Sequence, residues 1–398
     1  MSEDAPERAQ APRERTRGWY DPRVRAIVFQ GLVLGSTIAL AVFIVGNTLE
    51  NLERRGIASG FSFLSSTSGF AIIQSLIDYS EESSYGRAFL VGLLNTLLVA
   101  GLGIVLATVL GFLIGVARLS SNWLISKLAA AYVEVFRNIP LLLQLFFWYF
   151  AVLRALPAPR QSMSLGDAVF LNIRGLYLPG PLPEPGFWWI PAALLAGVTG
   201  VVLLALWARR RRDLTGRSFH TGFVSLGLLL GLPLLAAVVT GLPVGWEYPH
   251  LRGFNFRGGI RLIPEFIALL LALTIYTAAF IAEVVRAGIQ SVSHGQAEAA
   301  HALGLRPGQT LRLVVIPQAM RVIIPPLTNQ YLNLTKNSSL AAAIAYPDLV
   351  SVFSGTVLNQ TGQAIEVIAI TMGVYLSISL LISLFMNWYN KRIALVER

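Results

Sequence analysis

Long apolar runs, separated by short polar or proline- and glycine-rich intervals, recur along the whole chain. A hydrocarbon core about 30 Å thick is crossed by roughly 20 mostly apolar residues in helical form. Eight segments meet that length, at approximately 26–47, 88–117, 128–153, 187–207, 220–241, 262–285, 322–345 and 363–387, each bounded by charge, proline or glycine. The expected fold is therefore all-α, a polytopic membrane protein with about eight transmembrane helices. The first run follows a basic leader, as a signal peptide would. It is long for a signal core, and IVGNTLENLERR offers no small-residue cleavage site, so it reads as a permanent helix.

The polar intervals differ in kind. Residues 1–25, rich in Arg, Glu, Pro and Ala, read as a solvated tail without a core of its own. Residues 48–87 are mixed polar with serine patches, and 154–186 carry prolines around LPGPLPEPG, which favours extended, irregular chain. Within the first of these, FSFLSSTSGFAII (61–73) is too short to span and is expected at the membrane interface or as a cap on the outer face.

The interval after the sixth run is the most unusual. In GQAEAAHALGLRPGQTLRLVVIPQA (295–319), Ser293 and Gln296 have capping-box spacing, which predicts a helix opening at His294. Its body is small, with Ala297, Ala299, Ala300 and Ala302 leaving a surface that another protein can approach closely. Gly304 supplies a left-handed stop and Pro307 follows three residues later. The product is a rod of about ten residues and roughly 15 Å, too polar to span. Glu298 near its amino-terminal turn suits the helix dipole, a purely structural role.

Composition and charge agree with a membrane protein. The 398 residues are 55% hydrophobic and 13% charged, and the net charge is +10. Such a charge could mark a nucleic-acid binder. Distributed over the predicted loops, however, about 20 of the 31 basic residues fall on one side, including Arg8 to Arg25, Arg118, Lys127, Arg209 to Arg212, Arg217, Arg286, Arg306, Arg312, Arg321, Lys391, Arg392 and Arg398. The excess is topological, predicts both termini in the cytoplasm, and argues against nucleic acid as a partner. The chain has no cysteine, and its four histidines lack zinc-ligand spacing, so no metal site is expected.

Six short motifs in order then point to a family. NTLLVA (95–100), GVARLS (115–120), YVEVFRNIPLLLQLFFWYF (132–150), AEVVRAGIQSV (282–292), IPQAMR (316–321) and LTKNSSLAAAIAYPDL (334–349) accompany Glu298-Ala299-Ala300, Gly304 and Ile316-Pro317. Together they resemble the polar amino-acid branch of permease subunits from binding-protein-dependent ABC importers, whose EAA loop the last group matches. The resemblance covers most of 88–392 and implies a type I, MetI-like permease core. This chain departs from a compact five-span member by an extra N-terminal helix with its loop (26–87) and an inserted helix pair within about 154–250. That enlarged plan is similar to the general L-amino-acid and the glutamate/glutamine/aspartate/asparagine permeases.

What the resemblance implies is specific. Residues 293–308 would be a cytoplasmic coupling loop seated in a groove of a separate ATP-binding subunit, with Gln296, Glu298, Ala299, Ala300, Gly304 and Pro307 at the contact. No GxxxxGK[ST] phosphate loop occurs in the chain, so ATP and Mg would be held by a partner ATPase dimer, and the chain itself would carry no cofactor and no catalytic residue. The other implied partners are a second permease chain, a heterodimer being favoured, a periplasmic amino-acid-binding protein, membrane lipid and the amino-acid substrate. The location would be the bacterial inner membrane. An ion-coupled secondary amino-acid transporter is the alternative, but it gives the EAA loop no task and would call for an inverted repeat with broken midplane helices. A membrane-bound enzyme lacks any HExxH or GxSxG constellation in the spans.

Charges inside the spans narrow the path, because a lone ionisable group at the bilayer centre costs about 2.5–3.5 kcal/mol on insertion scales. Glu134 with Arg137, and Glu283 with Arg286, have helical pairing distance and read as gating or structural pairs. Lys336 has no acid three or four residues away and is surrounded by Asn329, Asn333, Asn337, Ser338 and Ser339. An ammonium with amides can hold the carboxylate of a zwitterion, which makes 329–339 the candidate substrate path; the plain alternative is a hydrogen-bonded cluster between helices. Gly111/Gly115 and Gly227/Gly231 have the spacing of close helix contacts.

Overall fold

The computed structural model describes residues 22–54, 60–216 and 219–393. The expected tail lies outside these as far as residue 21, and so do Arg217 and Arg398. Among the described residues seven helices are long and apolar enough to cross a membrane, and a bent pair brings the number to as many as eight.

The first, α1 (Pro22–Arg54), buries none of its apolar window against the rest of the chain, as suits a helix facing lipid. The serine-rich loop after it caps one end of the bundle: Phe63 is buried against Phe353 and Tyr85, and Gly60 N donates to Glu366 Oε1 at 2.6 Å. Helix α2 (Tyr85–Ala117) opens at Ser84, whose side chain accepts from Arg87 N. Its 33 residues make about 50 Å, so it overreaches the hydrocarbon layer.

The expected third span is not one straight helix. α3 (Trp123–Asn138) and α4 (Leu141–Phe146), which continues as a π turn to Leu153, are bent by 104°. The cause is Pro140, which lacks an N–H and drives Ile139 to extended geometry at φ −94°, ψ 126°. Gln144 Nε2 repairs the break by donating to the carbonyls of Phe136 and Ile139 at 3.0 and 2.9 Å.

The proline-rich segment around LPGPLPEPG forms paired strands instead of running irregularly. β1 (Met163–Leu165), β2 (Val169–Asn172) and β3 (Gly175–Leu178) precede β4 (Gly180–Pro183), the helical hairpin formed by α5 (Trp189–Thr215), α6 (Thr221–Leu226) and α7 (Leu232–Val239), then β5 (Val244–Glu247), β6 (His250–Arg252), β7 (Asn255–Arg257) and β8 (Ile260–Leu262). The antiparallel order β1-β2-β3-β8 closes across the hairpin, with Leu176 opposite Leu262, while β4 pairs β5 and β6 pairs β7. Tyr177 is the buried centre of this layer, 5.1 Å from the Phe256 ring, its hydroxyl donating to Asn255 Oδ1 at 2.9 Å.

Next come α8 (Pro264–Gln290), the short α9 (His294–Ala302), α10 (Pro307–Thr310), α11 (Ile316–Asn337), α12 (Leu358–Thr361) and α13 (Ala364–Ile393). The helical run into α11 begins at Pro307, well before the expected 322, because its polar first turns lie beyond the apolar layer yet still hydrogen-bond as helix. The strands adjoin the start of α5, the end of α7 and the start of α8, so they mark one membrane face. The far ends of α5 and α8, carrying Arg209–Arg212 and leading to α9, mark the other.

Helices α2 and α8 form the heart of the core. A Cβ on Gly111 would stand 2.6 Å from Ile281 Cβ, and one on Gly115 2.7 Å from Val285 Cβ, so only glycine permits this approach. Gly227 and Gly231 do not share that role, for a Cβ on either would meet nothing within 4 Å. They lie in a π turn that directs Leu228 at α5 instead, and the tight contacts there belong to Gly197 and Gly200.

Candidate functional site

Four features of the bundle bear on function, beginning with the short helix α9. α9 opens at His294 as expected, but the Ser293 side chain makes no cap; Gln296 N donates to the Ser293 carbonyl at 3.0 Å. The capping box is displaced because the Gln296 side chain has a partner elsewhere, accepting from Gln318 Nε2 at 3.3 Å and so tying α9 to α11. Gly304 adopts φ +79°, and the helix closes with Leu305 N on the Ala300 carbonyl at 3.1 Å and Gly304 N on His301 at 2.9 Å. Pro307 starts α10, where its missing N–H costs nothing.

Ala300 is turned inward. It is 4% exposed and packs toward the Pro307–Val315 stretch of its own chain, so it shapes the rod without forming its outer surface. Gln296, Glu298, Ala299, Ala302 and Gly304 are exposed. Leu303 is 82% exposed, an apolar side chain at the end of a polar helix. Sequence reasoning passed over it, though an apolar residue directly before the glycine stop was a visible signal.

The second feature is a charged cavity of about 350 Å³ lined by Arg118, Val133, Glu134, Arg137, Asn138, Phe280 and Glu283. Glu283 and Arg286 pair as expected, and Arg118 closes on the same carboxylate from the end of α2. This three-charge clamp joins α2 to α8 across 165 residues, a partner that spacing could not reveal. Glu134 and Arg137 do not pair. Arg137 instead lies over the Phe280 ring at 5.1 Å, and Glu134 is exposed with no charged partner among the described residues.

The third feature is one face of α11. Val322, Pro325, Asn329, Asn333 and Lys336 recur at helical spacing, and all five are exposed, while Ile323, Ile324, Leu327 and Leu334 fill the opposite, buried side. Leu334 packs on Gly103, near the middle of α2, which puts Lys336 at mid-depth in the bundle. Its ammonium has no acceptor or carboxylate among the described residues. Asn337 and Ser339 are half-buried, and the Ser339 hydroxyl donates to the Lys336 carbonyl at 2.7 Å. Ser338 leaves the candidate path: it is fully buried and donates to the Thr335 carbonyl at 2.7 Å, because α11 tightens to a 3-10 turn over Ser338–Ile344 and rolls this hydroxyl inward.

The fourth feature is a polar knot beyond that turn, where NTLLVA meets YPDL. Asn95 Nδ2 donates to the carbonyls of Gln74 and Pro347, both at 2.9 Å, and Leu349 N donates to Thr96 Oγ1 at 3.0 Å. Asp348 lies between the spans, fully buried, accepting from Ser351 N at 2.8 Å and from the Tyr375 hydroxyl at 3.4 Å. Burial pushes its carboxyl up to about 7, against the pull of the Ser351 and Val350 amides. A raised acid favours the fold while protonated, so its contribution is full below the ordinary carboxylate range and is lost as pH rises toward 7. Thermal unfolding in detergent is expected to show a midpoint falling over that window in the native chain, and a flatter profile in Asp348→Asn, which keeps the acceptor without the charge.

Known proteins share this chain's sequence over nearly its whole length. The family model described as the binding-protein-dependent transport system inner membrane component matches residues 229–395. The amino-acid ABC transporter permease protein YhdX of Escherichia coli is 59% identical over 95% of this chain and 96% of its own length. The general L-amino acid transport system permease protein AapQ of Rhizobium johnstonii is 54% identical over 95% of this chain and 94% of its own. The glutamate/glutamine/aspartate/asparagine transport system permease protein BztB of Rhodobacter capsulatus is 45% identical over 95% of this chain and 96% of its own.

Proposed function

The chain belongs to the ABC transporter permeases, related to those for polar amino acids and built on a MetI-like all-α core, and from that premise we propose that it imports polar, acidic or amide L-amino acids with energy taken from a separate ATPase. The observation that carries this reading is α9: a rod on the face opposite the strands, held to its own chain through Ala300 and Gln296, with its remaining surface and Leu303 uncovered. Leu303 would enter a groove of the ATP-binding subunit, Glu298 and Ala299 would lie along its wall, and Gly304 with Pro307 would fix the exit of the chain. ATP and Mg would bind to that subunit, leaving this chain non-catalytic. The basic excess supports placing α9 and both termini in the cytoplasm and the strands in the periplasm, where the insertion, extended by its pairing to Leu262, would face the amino-acid-binding protein.

The exposed polar face of α11 supports the transport path. An ammonium and two amides at mid-depth are not left facing hydrocarbon, so a second permease chain would close over Asn329, Asn333 and Lys336 and enclose water. A heterodimer suits the enlarged plan. The Arg118–Glu283–Arg286 clamp and the Glu134/Arg137 cavity sit where α2, α3 and α8 must move together, and would act as the inner gate when the ATPase pair closes. The test is reconstitution of the whole assembly: amino acids delivered by the cognate binding protein should stimulate ATP hydrolysis, with glutamate, aspartate and their amides strongest. Movement of amino acids by this chain alone down an ion gradient would replace the reading with a secondary transporter.

A further inference from the structure

The inserted hairpin carries a site that coupling and transport leave unused. At the end of α5 remote from the strands, a pocket of about 350 Å³ is lined by Ala205, Ala208, Arg209, Arg212, Phe219 and Thr221. Alanine at 205 and 208 gives the arginines room beneath them, and Arg209 and Arg212 have no carboxylate partner among the described residues. Asp213 does not line the pocket. The rim is stiffened by a stack in which Arg211 lies 5.2 Å from the Trp207 ring and 5.7 Å from the Phe219 ring, with the two rings edge to face at 5.3 Å.

From this geometry we propose that the pocket binds the phosphate of an anionic phospholipid in the leaflet on the α9 side. Two arginines and the Thr221 hydroxyl offer donors to a phosphodiester, and guanidinium forks match its oxygens. The apolar wall selects a lipid over a soluble phosphate. Val198 and Val202 continue the Ala205, Arg209, Arg212 face of α5 into the membrane-spanning part, both about half exposed, and Phe223 on α6, two residues past Thr221, is 79% exposed. Acyl chains would lie along that wall, and Trp207 with Phe219 would sit at headgroup depth, where aromatic rings gather. The lipid would then seal the hairpin to the membrane independently of the transport path.

The test is native mass spectrometry of the purified transporter complex titrated with phosphatidylglycerol. The wild type is expected to retain one tightly held lipid. Arg209→Gln and Arg212→Gln should each weaken it about fivefold, the scale of one basic contact at a membrane surface. Arg210→Gln removes the same charge outside the pocket and should leave retention nearly unchanged. The double change of Arg209 and Arg212 to Lys keeps the charge but not the fork, and should hold the lipid more weakly than the wild type yet better than the paired Gln change, which separates binding from misfolding. Equal losses at 209, 210 and 212 would reduce the site to diffuse charge, no loss at any would remove it, and displacement of the lipid by millimolar inorganic phosphate would make it a soluble-anion site.

Discussion

A Leu303→Asp permease is expected to insert and fold normally yet to lose its ATPase subunit on purification, with ATP-driven uptake falling to background. The side chain is almost fully exposed on α9, so the isolated chain loses little when it becomes polar. The partner loses an apolar anchor and gains an unpaired carboxylate in a desolvated groove, a change that at a central contact costs about 2 kcal/mol or more, roughly 30-fold in affinity. Gly304→Val should act on the same contact differently. A β-branched residue at φ +79° is strained, and the space there is open, so any loss would come from a misdirected rod, not from a clash. Ala300→Leu is a useful contrast: it should dislodge α9 from its own chain and lower thermal stability as well as coupling. Retained ATPase with full uptake in Leu303→Asp would move the coupling contact elsewhere.

Lys336→Met should leave assembly and ATPase contact intact while reducing binding-protein-dependent uptake by roughly 10- to 150-fold, the value of a charge-assisted hydrogen bond of about 1.5–3 kcal/mol. Removal of a mid-depth charge eases insertion, so a loss of transport cannot be blamed on failed delivery to the membrane. Lys336→Arg should recover part of the uptake. Full uptake in the Met variant would return Lys336 to a helix-packing role, and loss of the second permease from the complex would make it an interface residue.

Much of this was legible in the sequence where one physical constraint acts locally. The twenty-residue minimum for a span located seven helices within a few residues at most ends, and Gly304 announced its left-handed stop by being glycine after a helical run. The misreadings came from longer range or from competition. Pro140 was present as a breaker, but the apolar residues on both sides of it across 128–153 outweighed it. Partners for β1–β3 lie beyond the hairpin at Leu262, so proline-rich chain looked irregular. Arg118 reaches Glu283 from another helix, and Phe280 takes Arg137 from Glu134; neither choice follows from i, i+3 spacing. Ser338 looked like its polar neighbours until the 3-10 turn rotated it inward, and the Asp348 knot needed NTLLVA, YPDL and Tyr375 of α13 to meet.

The absence of cysteine from the chain makes one measurement unusually clean. Leu303→Cys, the sole thiol in the permease, can be challenged with a membrane-impermeant maleimide from either side, with and without the ATPase subunit. Labelling from the cytoplasmic side alone, suppressed when the ATPase is bound, is the predicted result. Labelling from the periplasmic side, or equal labelling with the ATPase in place, would contradict entry of force through α9.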